Sequence, residues 1–126
     1  MTETVAILGA SINPNRFSHK AQLALAEYGH NPVPVNPKYD NIDGIQCYPN
    51  LVSFPGRIDT ITIYVKSSIL RAMTEEVIQV HPKRVIFNPG AECKDVSTRL
   101  KSAGIEVQNA CTLVLLKTSQ FISSSY

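Results

Sequence analysis

Short β-branched runs alternate with longer amphipathic stretches along the chain. The runs predict strands over residues 4–8, 33–35, 58–65, 84–87 and 105–108. The stretches predict helices over residues 17–28, 67–81 and 92–103, and a short last helix that opens at Thr112. Strands and helices in this order form βαβ units, whose right-handed crossovers build a parallel sheet covered on both faces. The chain is therefore predicted to have an α/β fold, a Rossmann-like three-layer sandwich with a mainly parallel, doubly wound sheet of about five strands.

The segments between these elements carry fewer signals. Pro34 places the second strand near a sheet edge or a bulge. Residues 38–57 are rich in Asn, Asp, Gly and Pro, which predicts a long connection with one helical turn at 51–54. We expect one domain over residues 1–126, with a flexible tail from about residue 117 that is frayed at its Ser-rich end.

Composition narrows the class of protein. The 126 residues are 44% hydrophobic and 17% charged, with a net charge of +2, which fits one globular domain and argues against disorder. The charge is too small and too dispersed to indicate nucleic-acid binding. No apolar run approaches the ~18 residues that span a bilayer, and no basic segment precedes residues 5–8, so a cytoplasmic chain without a membrane partner is expected.

Cysteine and histidine spacing adds a second restriction. The three cysteines are widely separated and form no CxxC pair, and the three histidines form no HxxxH pattern. Neither a disulfide framework nor a metal site is expected from this spacing.

The loop after the first strand is a candidate anion site. Its sequence, GASINPNR, opens with Gly9 for a tight turn, followed by small Ala10 and Ser11 that let a phosphate approach backbone amides at a helix start. It departs from GxGxxG, because Ser11 and Pro14 stand where the second and third glycines would be. A plain strand-to-helix connection is the alternative interpretation.

The second junction carries a cation where an NAD site has an acid. Asn36, Pro37 and Lys38 follow the second strand, where Asp or Glu would accept hydrogen bonds from ribose hydroxyls. A lysine suits a phosphorylated ribose, as in CoA or NADP. A solvated loop lysine is the alternative.

The third and fourth junctions are also built from small residues. Ser67 or Ser68 is expected to cap the second helix. Gly90 gives the fourth junction backbone freedom and exposed amides, and Glu92 complements the dipole of the next helix. Four such junctions on one rim indicate a long groove for an extended ligand.

Three stretches of the sequence resemble a known family. The stretch from GASINPNRF to VNPK (residues 9–38), CYP at 47–49 and FNPGAE at 87–92 resemble the CoA-binding domain family. That family includes the N-terminal domains of succinyl-CoA synthetase α subunits and ADP-forming acyl-CoA synthetases, and single-domain bacterial and archaeal proteins. The resemblance runs from about residue 4 to residue 116.

The resemblance implies a CoA nucleotide lying over the strand ends, held by three groups of residues. The pyrophosphate loop would contain Gly9, Ala10, Ser11, Asn13, Arg16 and Phe17. The clamp on adenine and ribose phosphate would contain Val35, Pro37 and Lys38, with Asn36 beside them. The pantetheine path would be bordered by Val65, Ser67, Pro89 and Gly90.

The expected function is non-catalytic binding of CoA or acyl-CoA by a stand-alone domain acting as a carrier, buffer or sensor. No catalytic constellation is recognisable, and the domains that perform ligase chemistry in the resembled synthetases are missing from these 126 residues. The alternatives are an NADP-binding redox protein, a CoA-binding subunit that completes a split acyl-CoA ligase in trans, and an inert structural domain. A homodimer is compatible with a small parallel sheet, but no feature requires one.

Cys111 stands apart from the other two cysteines. It follows the last strand, at the rim and at the start of the last helix, where a helix N-terminus can lower a thiol pKa. One hypothesis is that it can form a mixed disulfide with bound CoA or accept an acyl group. The alternative is a small buried hydrophobic residue under the helix start.

Overall fold

The computed structural model describes residues 2–122. The strands are β1 (Thr4–Leu8), β2 (Asn31–Val35), β3 (Asn41–Ile42), β4 (Ile45–Gln46), β5 (Thr60–Ile63), β6 (Arg84–Phe87) and β7 (Glu106–Asn109). The helices are α1 (Phe17–Glu27), α2 (Ser67–Val80), α3 (Lys94–Ser102) and α4 (Thr112–Lys117), with a 3₁₀ turn at Leu51–Ser53. Five parallel strands form the main sheet in the order β2-β1-β5-β6-β7, and β3 pairs with β4 in a separate antiparallel hairpin. The predicted Rossmann-like α/β fold is confirmed.

The sheet separates two hydrophobic cores. Alternate residues of β1 point to opposite faces, so Val5 and Ile7 pack with α1 and α4, while Ala6 and Leu8 pack with α2 and α3. Both faces are therefore covered by helices, which explains why the sequence of β1 is a continuous apolar run. Among the described residues, no helix is long and apolar enough to cross a membrane.

Strand β2 is an edge strand, as Pro34 predicts. It pairs only with β1 among the described strands, and Asn31, Val33 and Val35 turn their backbone groups toward β1. Residue 34 faces the other way, since the Pro34 carbonyl accepts a hydrogen bond from the Tyr48 amide. The missing N–H of proline therefore removes no bond of the β1–β2 ladder.

The connection over residues 38–57 has more structure than predicted. It contains the β3–β4 hairpin, whose two-residue turn is Asp43-Gly44 with φ angles of 51° and 80°. A two-residue loop of this type requires positive φ, which Asp-Gly tolerates. Gln22 of α1 donates to the Ile42 carbonyl at 3.0 Å, and His19 Nε2 lies 2.7 Å from Asp43 Oδ2, so the hairpin is fastened to α1. The predicted helical turn is present at Leu51–Ser53.

The N-cap of α2 and the start of α3 differ from the predicted ones. Ser67 is the first residue of α2 and Lys66 occupies the N-cap, so neither Ser67 nor Ser68 caps the helix. Helix α3 begins at Lys94 rather than at Glu92. The Glu92 carboxylate instead accepts a hydrogen bond from the Gly90 amide at 2.9 Å, which closes the turn after β6.

A buried ionic cluster lies at the amino end of the sheet. Arg84 is fully buried, and its guanidinium donates to Glu3 at 3.5 Å, to Thr60 at 3.3 Å and to the Phe121 carbonyl at 2.7 Å. The Thr60 hydroxyl donates in turn to Glu3 at 2.5 Å. Burial raises the pKa of Glu3, while Thr60 and Arg84 act in the opposite direction.

The segment after α4 packs on this cluster. The Phe121 ring is 3% exposed, lies 4.6 Å from the Arg84 guanidinium carbon and 4.9 Å from the His30 ring. The flexible tail predicted from about residue 117 stays a prediction, while the structure buries the Phe121 ring within that stretch. The frayed end predicted at 123–126 lies outside the described residues.

Candidate ligand-binding groove

The order of the strands places a crevice at the carboxyl ends of β1 and β5. The chain leaves β1 toward β2 on one side and later returns to β5 on the other side, so the two following loops diverge. Open α/β sheets bind ligands at such a point. Here the loop that starts at Gly9 meets Tyr64, whose amide donates to the Leu8 carbonyl at 2.9 Å.

Three pockets with shared walls run along this edge, and together we call them the edge groove. The first, the β1 pocket, has a volume of about 300 Å³ and is lined by Gly9, Ala10, Ser11, Arg16, Phe17, Ser18, Asn36, Lys38, Tyr39 and Tyr64. The second, the α2 pocket, has about 220 Å³ and is lined by Ile63, Tyr64, Val65, Lys66, Asn88, Pro89, Gly90 and Ala91. The third, the α4 pocket, has about 160 Å³ and is lined by Phe17, Tyr64, Asn88, Pro89, Cys111 and Leu113. Tyr64 belongs to all three walls.

The β1 loop does not offer its first amides to a ligand. The N–H groups of Gly9 and Ala10 both donate to the Val35 carbonyl, at 3.1 and 3.3 Å. The Asn13 amide donates to the Ser11 hydroxyl at 3.0 Å, which shapes the loop internally. The amides of Gly9 and Ala10 are therefore engaged within the protein, and anion binding at this loop stays a prediction that depends on other donors.

The start of α1 provides donors instead. No side chain of the described residues caps the first turn of α1 or of α2. The first amides of a helix have no partner within the helix, and they carry the positive end of its dipole. In α1 these amides belong to Phe17 and Ser18, which line the β1 pocket. An anion in this pocket would meet them directly.

Positive charge concentrates in the β1 pocket. Arg16 and Lys38 are exposed on its walls, and neither forms an ion pair with a carboxylate of residues 2–122. Asn36 fixes the loop that carries Lys38, because its side chain donates to the Ala10 carbonyl at 2.8 Å and accepts from the Lys38 amide at 2.9 Å. The two cations are thus available for a phosphorylated ligand.

Apart from Lys66 in the wall of the α2 pocket, no charged side chain of the described residues lines the α2 or α4 pocket. Burial, more than any other influence, raises the pKa of Tyr64 to about 12, so its phenol stays protonated at neutral pH. Asn88 is buried and its polar atoms are engaged: the amide nitrogen donates to Thr62 at 2.6 Å and to Ile63 at 3.0 Å, and the oxygen accepts from the Thr112 amide at 2.9 Å. Asn88 therefore joins the ends of β5 and β6 to the start of α4.

Comparison with known proteins decides the family. The sequence profile of the CoA binding domain matches residues 3–117, which is nearly the whole chain. This chain belongs to the CoA binding domain family.

Two relatives from curated sequences differ in length. Protein YneT of Bacillus subtilis is 30% identical over 103 residues, which cover 82% of this chain and 76% of that protein. Acetate–CoA ligase (ADP-forming) I of Archaeoglobus fulgidus is 27% identical over 104 residues, 82% of this chain. The chain spans only 14% of the length of that ligase. Membership of the CoA binding domain family thus joins this chain both to a short protein and to one part of a much longer ligase.

A solved structure agrees with this assignment. A protein from Pyrococcus horikoshii superposes with a TM-score of 0.87 at 29% identity, over 90% of this chain and 81% of that one. The two chains therefore share one fold over most of their length.

The structure gathers most of the residues that the sequence suggested for CoA. Those on pocket walls are Gly9, Ala10, Ser11, Arg16, Phe17, Asn36 and Lys38 in the β1 pocket, Val65, Pro89 and Gly90 in the α2 pocket, and Cys111 in the α4 pocket. Those on none of these walls are Asn13, Val35, Pro37 and Ser67. The Val35 side chain is 1% exposed in the core, so only its carbonyl contributes, by holding the β1 loop.

Several wall residues were not anticipated from the sequence. They are Ser18, Tyr39, Ile63, Tyr64, Lys66, Asn88, Ala91 and Leu113. Tyr64 and Asn88 immediately follow β5 and β6, at the carboxyl ends where ligands bind to this fold, and that position was the available signal.

Gly9 provides a direct test of how tightly the groove is built. An added Cβ would lie 2.9 Å from Val65 Cγ1 and 3.1 Å from the Tyr64 carbonyl group, at a φ of 93°. We expect Gly9→Ala to lower the free energy of unfolding by about 2 kcal/mol, measured by urea denaturation. Gly29→Ala is the matched control, since Gly29 has a φ of 86° but no atom within 4 Å of the added carbon. Equal losses in the two variants would mean that the contact with Val65 and Tyr64 is unimportant.

Proposed function

We propose that this chain binds CoA or an acyl-CoA reversibly and without catalysing a reaction, as a carrier, buffer or sensor. The observation that carries the proposal is the charge distribution of the edge groove. Arg16, Lys38 and the uncapped start of α1 lie at one end, and a neutral phenol and an apolar pocket lie at the other. CoA has the same division, with phosphates at one end and a neutral pantetheine arm at the other.

The proposed assignments follow this division. The start of α1 and Arg16 receive the pyrophosphate, and Lys38 receives the phosphate of the ribose. The pantetheine arm crosses Tyr64 toward the walls formed by Pro89 and Gly90. Membership of the CoA binding domain family supports these assignments.

The composition of the groove walls supports a binding function over catalysis. Among the described residues, no carboxylate or imidazole lines any of the three pockets. The pKa of Tyr64, raised to about 12, makes its phenol unsuitable as a base near neutral pH. The groove thus has residues that hold a ligand, and it lacks an acid–base pair.

Intact-mass analysis with added CoA tests the proposal. We expect the mass of CoA on the native protein at near-stoichiometric occupancy and its loss on denaturation. If dissolved oxygen oxidises the Cys111 and CoA thiols to the hypothesised mixed disulfide, taking up the two electrons and two protons, a fraction of the adduct survives denaturation and is released by reductant. That fraction disappears in Cys111→Ser, whereas Cys93→Ser retains it, because Cys93 lies outside the groove walls.

Competition with NADPH distinguishes the redox alternative. If the chain binds NADPH and does not bind CoA, the proposal is contradicted and the NADP-binding redox protein is favoured. A CoA complex that NADPH does not displace supports it.

A second candidate function is that of a CoA-binding subunit completing an acyl-CoA ligase in trans. Two large apolar side chains at the rim favour it, since Ile12 is 55% exposed and Phe17 65% exposed. If this is the function, ADP should form from ATP, acetate and CoA only when a chain with the remaining ligase domains is added. The same mixture with Ile12→Ser, at a position that lines none of the three pockets, would then lose activity.

A further inference from the structure

The α4 pocket differs from the other two pockets in size and chemistry. Its volume is about 160 Å³, and its walls combine the rings of Phe17, Tyr64 and Pro89 with Cys111 and Leu113. The polar atoms of Asn88, the remaining wall residue, are engaged within the protein. No charged side chain of the described residues lines it. It is therefore suited to an uncharged apolar group.

The pocket lies at the distance that the pantetheine arm reaches. In the sheet order, β7 stands three strands from β1, which at ~4.8 Å a step is about 14 Å. Cys111 follows β7, and the uncapped start of α1 follows β1. The arm of CoA has about twelve bonds between its phosphate and its sulfur, equal to roughly four extended residues, or about 14 Å. Phe17, the first residue of α1, forms the near wall of the α4 pocket, and Cys111 forms its far wall. A CoA whose pyrophosphate is at α1 and whose arm is extended can therefore bring its sulfur to the Cys111 side of this pocket.

We propose that the α4 pocket holds the acyl group of a short-chain acyl-CoA. The ligand of this chain is then a CoA thioester whose acyl group is uncharged and has about four carbons, rather than free CoA. An apolar cavity of about 150 Å³ accommodates benzene, and a butyryl group has a similar number of non-hydrogen atoms. A long acyl chain exceeds the volume, and a terminal carboxylate would meet no cation there. This inference rests on the proposed function.

Calorimetric titration in the presence of reductant tests the pocket. Each methylene moved out of water is worth about fourfold in affinity, so butyryl-CoA should bind at least about tenfold more tightly than CoA. Succinyl-CoA, with the same number of acyl carbons and a carboxylate, should show no such gain. Palmitoyl-CoA should show none either.

Two variants test whether the α4 pocket causes the tighter binding of butyryl-CoA. Cys111→Leu fills the pocket and should bring the affinity for butyryl-CoA down to the affinity of the same variant for CoA. Cys111 is half-buried and has extended φ and ψ angles of −94° and 117°, which leucine adopts readily. Leu113→Ala enlarges the pocket and should move the preference to hexanoyl-CoA. Val114→Leu is the matched control, because Val114 is 53% exposed on the same helix and lines none of the three pockets.

The outcomes separate the two proposals. Equal affinities for CoA and butyryl-CoA in the unmodified protein overturn the acyl pocket and leave CoA binding intact. A preference for butyryl-CoA that both Cys111→Leu and Leu113→Ala retain overturns the assignment to this pocket. Absence of binding by CoA and by every thioester overturns the proposed function together with the pocket.

Discussion

Replacing Arg84 by methionine is expected to lower the free energy of unfolding by about 4 kcal/mol at pH 7, because it leaves a buried carboxylate without its cation. Arg84 is fully buried and Glu3 is 4% exposed, so water cannot replace the guanidinium. The substitution also removes a donor from the Phe121 carbonyl and the cation above the Phe121 ring. Urea denaturation with the slope held to that of the parent protein measures the change.

The pH dependence of the stability of Arg84→Met tests whether the unpaired Glu3 carboxylate causes the destabilisation. Burial already raises the pKa of Glu3 in the folded protein, and loss of Arg84 raises it further. A carboxyl with a raised pKa favours folding when it is protonated, and this contribution disappears as pH rises through the folded-state pKa. The destabilisation of Arg84→Met should therefore shrink when the pH falls from 7 to 5.

Two control variants complete the experiment. Glu3→Gln combined with Arg84→Met should recover a large part of the lost stability, because no buried charge remains unpaired. Arg99→Met breaks an exposed pair with Glu75 and should change stability by less than about 1 kcal/mol. A loss as small as this in Arg84→Met, or one that is independent of pH, would contradict the prediction.

Reversing the charge of Lys38 is expected to raise the Kd for CoA about a hundredfold. The substitution Lys38→Glu removes a charge-assisted hydrogen bond to the ribose phosphate and adds a repulsive carboxylate to the β1 pocket. Dephospho-CoA lacks that phosphate, so its Kd should rise less than tenfold. Calorimetry at low and high salt should show the difference between the two ligands shrinking as salt increases.

Lys101→Glu changes the net charge of the chain by the same amount and is the matched control. Lys101 is exposed in the last turn of α3 and lines none of the three pockets, so the Kd for CoA should stay within about twofold. If Lys38→Glu weakened CoA and dephospho-CoA equally, Lys38 would act through the general field of the pocket, and the ribose-phosphate contact would be disproved.

The fold was predictable because its strands carry strong local signals. Buried runs such as residues 4–8 and 84–87 end in turn-forming residues, and the helices between them are long enough to show a period. The β3–β4 hairpin was missed because strands of two residues show no period, and only Asp43-Gly44 marked the turn. Phe121 was missed because its burial depends on Arg84, 37 residues earlier in the chain.

The groove was predictable only in part, for a similar reason. The rule that ligands bind at the carboxyl ends of strands located the loops at Gly9, Lys38 and Gly90. The sequence does not reveal that the Val35 carbonyl takes the amides of Gly9 and Ala10, since this contact joins two neighbouring strands. Engagement of a backbone donor is a tertiary property, and the residue types involved carry no sign of it.

The outward-facing prolines of β2 also influence how copies of this chain meet in concentrated solution. At positions 32 and 34 the outer side of the strand presents no N–H, and the Pro34 carbonyl is already occupied by Tyr48. A strand from another molecule would find no donor at these two positions, so it cannot form a regular ladder. Fibre-like growth of the sheet on that side is blocked. Within the described sheet, only the other edge strand, the four-residue β7, remains as a place where such growth could begin.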